Sequence, residues 1–111
     1  MRKKSNKVER RTGLRQMRVN QTISSDHPSL PGHFPGDPVI PAALLVEAAQ
    51  QVVLEHANIE RLCGFSKLKL RALIKPDIEF EIAFEETKTG YFKVSLSQLD
   101  VVCVTLILSS S

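Results

Sequence analysis

Two side chains able to move a proton, His33 and Glu47, stand fourteen positions apart in stretches of opposite character. His33 lies among Pro28, Pro31, Pro35, Pro38 and Pro41, five of the six prolines in the chain, with Gly32 and Gly36 interspersed. Glu47 lies in residues 42–57, which contain no Gly or Pro and are mostly apolar. A neutral imidazole takes protons near pH 7. A carboxyl held in apolar surroundings retains its proton and can give it up as an acid. In sequence Glu47 is flanked by Leu44, Leu45, Val46, Ala48 and Ala49, which makes it the candidate acid. A base and an acid of this kind can strip a proton from one carbon and protonate a leaving group on the next.

The elements that must position the pair are a stiff loop and the helix it feeds. Pro41 is expected as the first helical residue, where a missing N–H costs nothing. The N–H groups of Ala42, Ala43 and Leu44 would then be unpaired at the positive end of the helix dipole, an arrangement suited to an oxygen gaining negative charge. Backbone near Gly36 is a second candidate for that role. The helix is expected to be buried round most of its circumference, save for a stripe of Glu47, Gln51 and Glu55 with Gln50 beside it. Gln51 is either a hydrogen-bonding support for Glu47 or an ordinary helix glutamine.

The run His33-Phe34-Pro35-Gly36-Asp37-Pro38-Val39-Ile40-Pro41, followed by Leu44-Leu45-Val46-Glu47-Ala48-Ala49-Gln50-Gln51, resembles the signature of the hotdog-fold β-hydroxyacyl-acyl-carrier-protein dehydratases. In that family an HFPGxPxxPG loop enters the central helix and an acidic residue follows the His by fourteen positions. The resemblance implies an α+β hotdog fold, an antiparallel sheet wrapped around one long helix. It implies that His33 removes the α-proton of a 3-hydroxyacyl thioester, that Glu47 protonates the departing hydroxyl, and that a trans-2-enoyl thioester results. It also implies a homodimer or higher assembly, or a heterodimer with a homologue, in which each site joins His33 of one subunit to Glu47 of the other. The expected partner is acyl carrier protein with its phosphopantetheine-linked acyl chain. Ala42 stands where the family usually has Gly, so its methyl group crowds the oxyanion position. Two other activities stay open: thioester hydrolysis or double-bond isomerisation on the same fold, and a non-catalytic subunit that binds the carrier.

The remaining residues bound these readings. The chain has 111 residues, expected as a basic, disordered tail over 1–14 and one domain over 15–111. Residues 1–18 hold eight Lys or Arg and one acid, so the net charge of +3 belongs to the tail. Residues 1–33 contain no aromatic on which a base could stack, which argues against nucleic acid. No apolar run reaches membrane-spanning length. Cys63 and Cys103 form no CxxC pattern, in keeping with reduced thiols and a cytoplasmic location. No cofactor or metal is expected, because the three His are dispersed. His27 is a weaker alternative to His33, Asp37 reads as a turn residue, and His56 suits the negative end of the helix dipole.

Strands are expected over 15–24, 65–75, 77–86, 91–99 and 101–108, with turns at 87–90 and Asp100. In the second of these, Leu68, Leu70 and Ala72 would point one way and Lys67, Lys69 and Arg71 the other. That basic row is either a solvated face or a docking strip for an acidic carrier, extended by Arg61 and Lys75. The run over 101–108 is apolar on both faces, as in a central strand or a subunit interface.

Overall fold

A computed structural model describes residues 9–11, 14–27 and 39–110. Among the described residues six antiparallel strands form one sheet: β1 (Glu9–Arg11), β2 (Leu14–Gln21), β3 (Leu62–Leu70), β4 (Phe80–Lys88), β5 (Tyr91–Gln98) and β6 (Val101–Ser110), in the order β1-β2-β4-β5-β6-β3. One helix, α1 (Ala42–His56), lies between β2 and β3 in the chain and packs against β3, β4 and β5.

Alternation decides which face the helix covers. Directly opposed residues of an antiparallel ladder share a face. Met17, Phe84, Val94 and Leu106 form one cross-strand row, and Val19, Ile82, Leu96 and Val104 form the next. These rows close on Leu45, Val46, Ala49, Val52 and Val53 of α1 to make the core. Each large side chain fully buried there contributes roughly 1.5–3 kcal/mol. Phe84 and Phe92 meet edge to face at 5.9 Å between ring centres. The opposite face carries polar rows such as Arg18, Ala83, Ser95 and Thr105.

Several boundaries differ from the sequence reading. Glu9–Arg11, inside the expected tail, pairs with β2, while residues 1–8 and 12–13 lie outside the described residues. The strand expected over 65–75 runs instead from Leu62 to Leu70. Its register against β6 shifts between Ser66 and Lys69, where Lys67 takes φ 54°. A bulge of this kind breaks the two-residue period, so Leu68 is half-buried while Leu70 is 59% exposed. Residues 71–79 form a connector, and the strand expected from 77 begins only at Phe80, after Asp77 at φ 69°. At the β5–β6 hairpin Leu99 and Asp100 have φ 53° and 65°. Two consecutive positive values mark the type I′ hairpin turn, which matches strand twist and is usually filled by Asn and Gly. Strand β6 is flanked by β5 and β3, with β3 at the sheet edge. Both cysteines are free thiols, Cys63 exposed and Cys103 buried.

Candidate active site at the mouth of the helix

Pro41 is the N-cap and not the first helical residue: its ψ is 148°, in the extended region, and the helix starts at Ala42. Its carbonyl accepts from the N–H of Leu44 at 3.1 Å and of Leu45 at 3.3 Å. Leu44, expected to be unpaired, is thereby satisfied. The N–H groups of Ala42 and Ala43 have no hydrogen-bond partner among the described residues. They are the orphan donors of the helix start.

Glu47 follows Ala43 by one turn, roughly 6 Å along the axis, and its side chain is exposed. Ala43, Glu47, Gln51 and Glu55 form one exposed stripe down the helix. The rest of the helix is buried or half-buried, as its composition implied; Ala43 extends the expected stripe by one turn, and Gln50, expected beside it, is half-buried. Residues adjacent in sequence to Glu47 point to other faces, and only those three or four positions away share its own. Its apolar sequence neighbours serve the core and do not enclose its carboxyl. No hydrogen bond joins Gln51 to Glu47.

His33, Gly36 and Asp37 lie outside the described residues. The two stems of their loop are described. On the near side His27 is half-buried, and the Ser24–His27 turn closes with the His27 N–H donating to the Ser24 carbonyl at 3.0 Å. On the far side the Ile40 N–H donates to the Ile74 carbonyl at 2.9 Å. Between this stem and the connector lies an apolar groove of about 340 Å³. Residues 39–42 and Leu45 form one wall, and Leu70 and residues 72–74 form the other. Leu73, at its lip, is 67% exposed.

Lys67, Lys69 and Arg71 are exposed, as are Arg61 and Lys75. The bulge separates Lys67 from the register position of Lys69, opposite Thr105, and Arg71 falls beyond the strand end. They therefore do not form the evenly spaced row that alternation implied. His56 places Nδ1 3.0 Å from the Val52 carbonyl in the last turn of the helix, where a donated N–H offsets the dipole. Sequence reasoning passed over Gln98, which is buried, and Asp77. A signal for Gln98 was present: it continues the inward row Phe92, Val94, Leu96, and a polar group on such a row must find partners.

An antiparallel sheet laid over one long helix, with a proline-rich segment leading into the helix mouth, is the hotdog architecture of dehydratases. The chain belongs to the ApeI-like dehydratase family, whose model matches residues 8–105. It is 30% identical over 104 residues to the 3-hydroxyacyl-acyl-carrier-protein dehydratase FabZ of Klebsiella pneumoniae, covering 80% of this chain and 69% of that one. The FabZ of Salmonella arizonae matches at the same identity and coverage. An uncharacterized protein from Erwinia carotovora subsp. atroseptica superposes with a TM-score of 0.74 at 16% identity, over 92% of this chain and 87% of that one. The dehydratase heterocomplex ApeI:P from Xenorhabdus doucetiae gives a TM-score of 0.55 at 16% identity, over 86% and 72%. No helix among the described residues is long and apolar enough to cross a membrane.

Proposed function

We propose that this chain dehydrates 3-hydroxyacyl thioesters borne by acyl carrier protein, in cytoplasmic fatty acid or polyene-type lipid synthesis. The observation that carries this reading is the position of Glu47. An exposed carboxyl sits on the open stripe of an otherwise buried or half-buried helix, one turn from two N–H groups at the helix start that have no partner among the described residues. His33, neutral, removes the α-proton. The N–H groups of Ala42 and Ala43, or backbone near Gly36, stabilise the enolate oxygen as charge grows on it. Glu47, once a second chain encloses the stripe, gives its proton to the 3-hydroxyl, the C–O bond breaks, and water leaves as the carbon–carbon double bond forms. The base ends protonated and the acid ionised, and exchange with solvent restores both.

A second chain completes the site, with His33 from one subunit and Glu47 from the other. The open helix stripe and the edge of β3, unpaired among the described residues, leave surface for such a partner. The partner is another copy or a homologue, and the ApeI:P assembly is itself a heterocomplex. Lys67, Lys69 and Arg71 are the candidate docking residues for the acidic carrier. Gln51 supports the Glu47 rotamer once the stripe is covered.

Ala42, with its methyl group at the helix mouth, favours one alternative, a non-catalytic subunit that binds carrier beside an active homologue. The test offers the purified protein a 3-hydroxyacyl carrier-protein thioester and follows enoyl absorbance, with His33→Ala and Glu47→Gln alongside. Each substitution is expected to lower turnover by about a hundredfold or more. Carrier binding with no turnover would select the non-catalytic alternative. Free thiol released without enoyl product would indicate a thioesterase.

A further inference from the structure

The connector 71–79 is fixed from three sides. At its start the N–H groups of Arg71 and Ala72 both donate to the Cys103 carbonyl, at 2.7 and 3.2 Å. In its middle the Gln98 carboxamide, 6% exposed, spends its full donor capacity on it. Oε1 of Gln98 accepts from the Lys75 N–H at 2.9 Å, and Nε2 donates to the carbonyls of Lys75 and Ile78, each at 3.0 Å. Towards its end the Asp77 N–H donates to the Ile23 carbonyl at 2.8 Å, and Asp77 Oδ1 accepts from the Ser25 N–H at 3.0 Å. Pro76, buried between these contacts, removes a backbone rotation from the same stretch.

What the connector holds is more telling than what holds it. Residues 23–25 precede the segment that carries His33, and Ile40 follows it. Both stems are hydrogen-bonded to this one connector, through Asp77 and through the Ile74 carbonyl. Ile40 is also one residue before the N-cap of the helix that bears Glu47. A shift of the connector therefore moves the loop stems and the helix mouth together. Small displacements of this kind are costly in proton transfer, where about 1 Å can cost a hundredfold.

We propose that Gln98 and Asp77 are positioning residues. Gln98 clamps the connector to the end of the sheet, and Asp77 ties it to the stem leading to His33, so that together they hold the base-bearing loop and the acid-bearing helix of one chain, each serving a site shared with the partner. The catalytic half of this proposal rests on the dehydratase reading above, and the mechanical half does not.

The test combines residue-resolved amide exchange with steady-state kinetics on Gln98→Glu, Asp77→Gly and Asp77→Asn. Gln98→Glu keeps the shape and removes both donors. Asp77→Gly keeps the left-handed φ without strain and removes the acceptor, while Asp77→Asn keeps both. Asp77 is exposed, so its variants leave the core intact should Gln98→Glu not fold. In Gln98→Glu the amides of Ile40 and Asp77, neither bonded to Gln98, are expected to exchange about tenfold faster or more, and the β4–β5 ladder to stay as in the parent. In Asp77→Gly the Ile40 amide should follow the same course. On a 3-hydroxyacyl thioester kcat should fall about tenfold or more with KM within about threefold, and Asp77→Asn should recover most of it. Unchanged exchange at Ile40 in a folded variant overturns the clamp. Faster exchange with parental kcat overturns the positioning role. A parent that exchanges as expected but turns nothing over removes the dehydratase reading and leaves the clamp standing.

Discussion

The two sides of α1 were built to different ends. One side carries Leu45, Ala49, Val52 and Val53, each at most 2% exposed and shut against the sheet by the chain itself. The other carries Ala43, Glu47, Gln51 and Glu55, all open in a single chain. Both belong to one helix with a largely apolar sequence, yet only the first contributes to the fold as it stands. On the proposed dehydratase reading, the difference separates residues that hold the fold from residues open to substrate and partner. Substitutions on the first side should register in melting, and substitutions on the second in turnover.

The sharpest test of that division is Leu45→Ala, which opens a cavity in the core and should cost about 2–5 kcal/mol in denaturant unfolding. Next comes Glu47→Gln, expected to slow the elimination about a hundredfold, roughly 2.7 kcal/mol in barrier, while leaving the unfolding midpoint in place. A large stability loss there would show that the open stripe is structural after all. Mixing equal amounts of His33→Ala and Glu47→Gln chains should restore about a quarter of parental activity, because random pairing leaves one intact site in half of the dimers. No recovery after exchange of chains would place both groups in one subunit. Smallest of all, Gln51→Ala should change stability by no more than about 0.5 kcal/mol and turnover by a few-fold, in line with an exposed position.

The sequence carried much of the architecture because alternation is a strong signal where one face is buried. Phe92, Val94 and Leu96 on β5, and Ile82 and Phe84 on β4, took the inward places their spacing implied. The stretch over 42–57 became a helix with one residue fewer, ending at His56. The signal failed where backbone conformation departs from the regular period without a glycine to announce it. Lys67 and Asp77 both take positive φ with ordinary side chains, whereas the reversal at Asp100 fell where the sequence placed it. The first moves the basic residues of β3 out of an even row, and the second delays the start of β4. Glu47 shows a different limit. Its neighbours along the chain are apolar, but a helix turns them away from it, so its surroundings depend on what lies opposite the stripe. The proposed pairing of His33 with Glu47 was legible only as a motif, since residue periodicity carries no information on how a loop and a second chain would join its two halves.

Cys63 gives this last question an experimental handle. It is exposed on β3, the strand at the open margin of the sheet, while the only other thiol, Cys103, is 2% exposed. A maleimide fluorophore would therefore attach at one address without any engineered residue. Quenching or energy transfer between labelled molecules would then report, by titration, at what concentration that margin finds company.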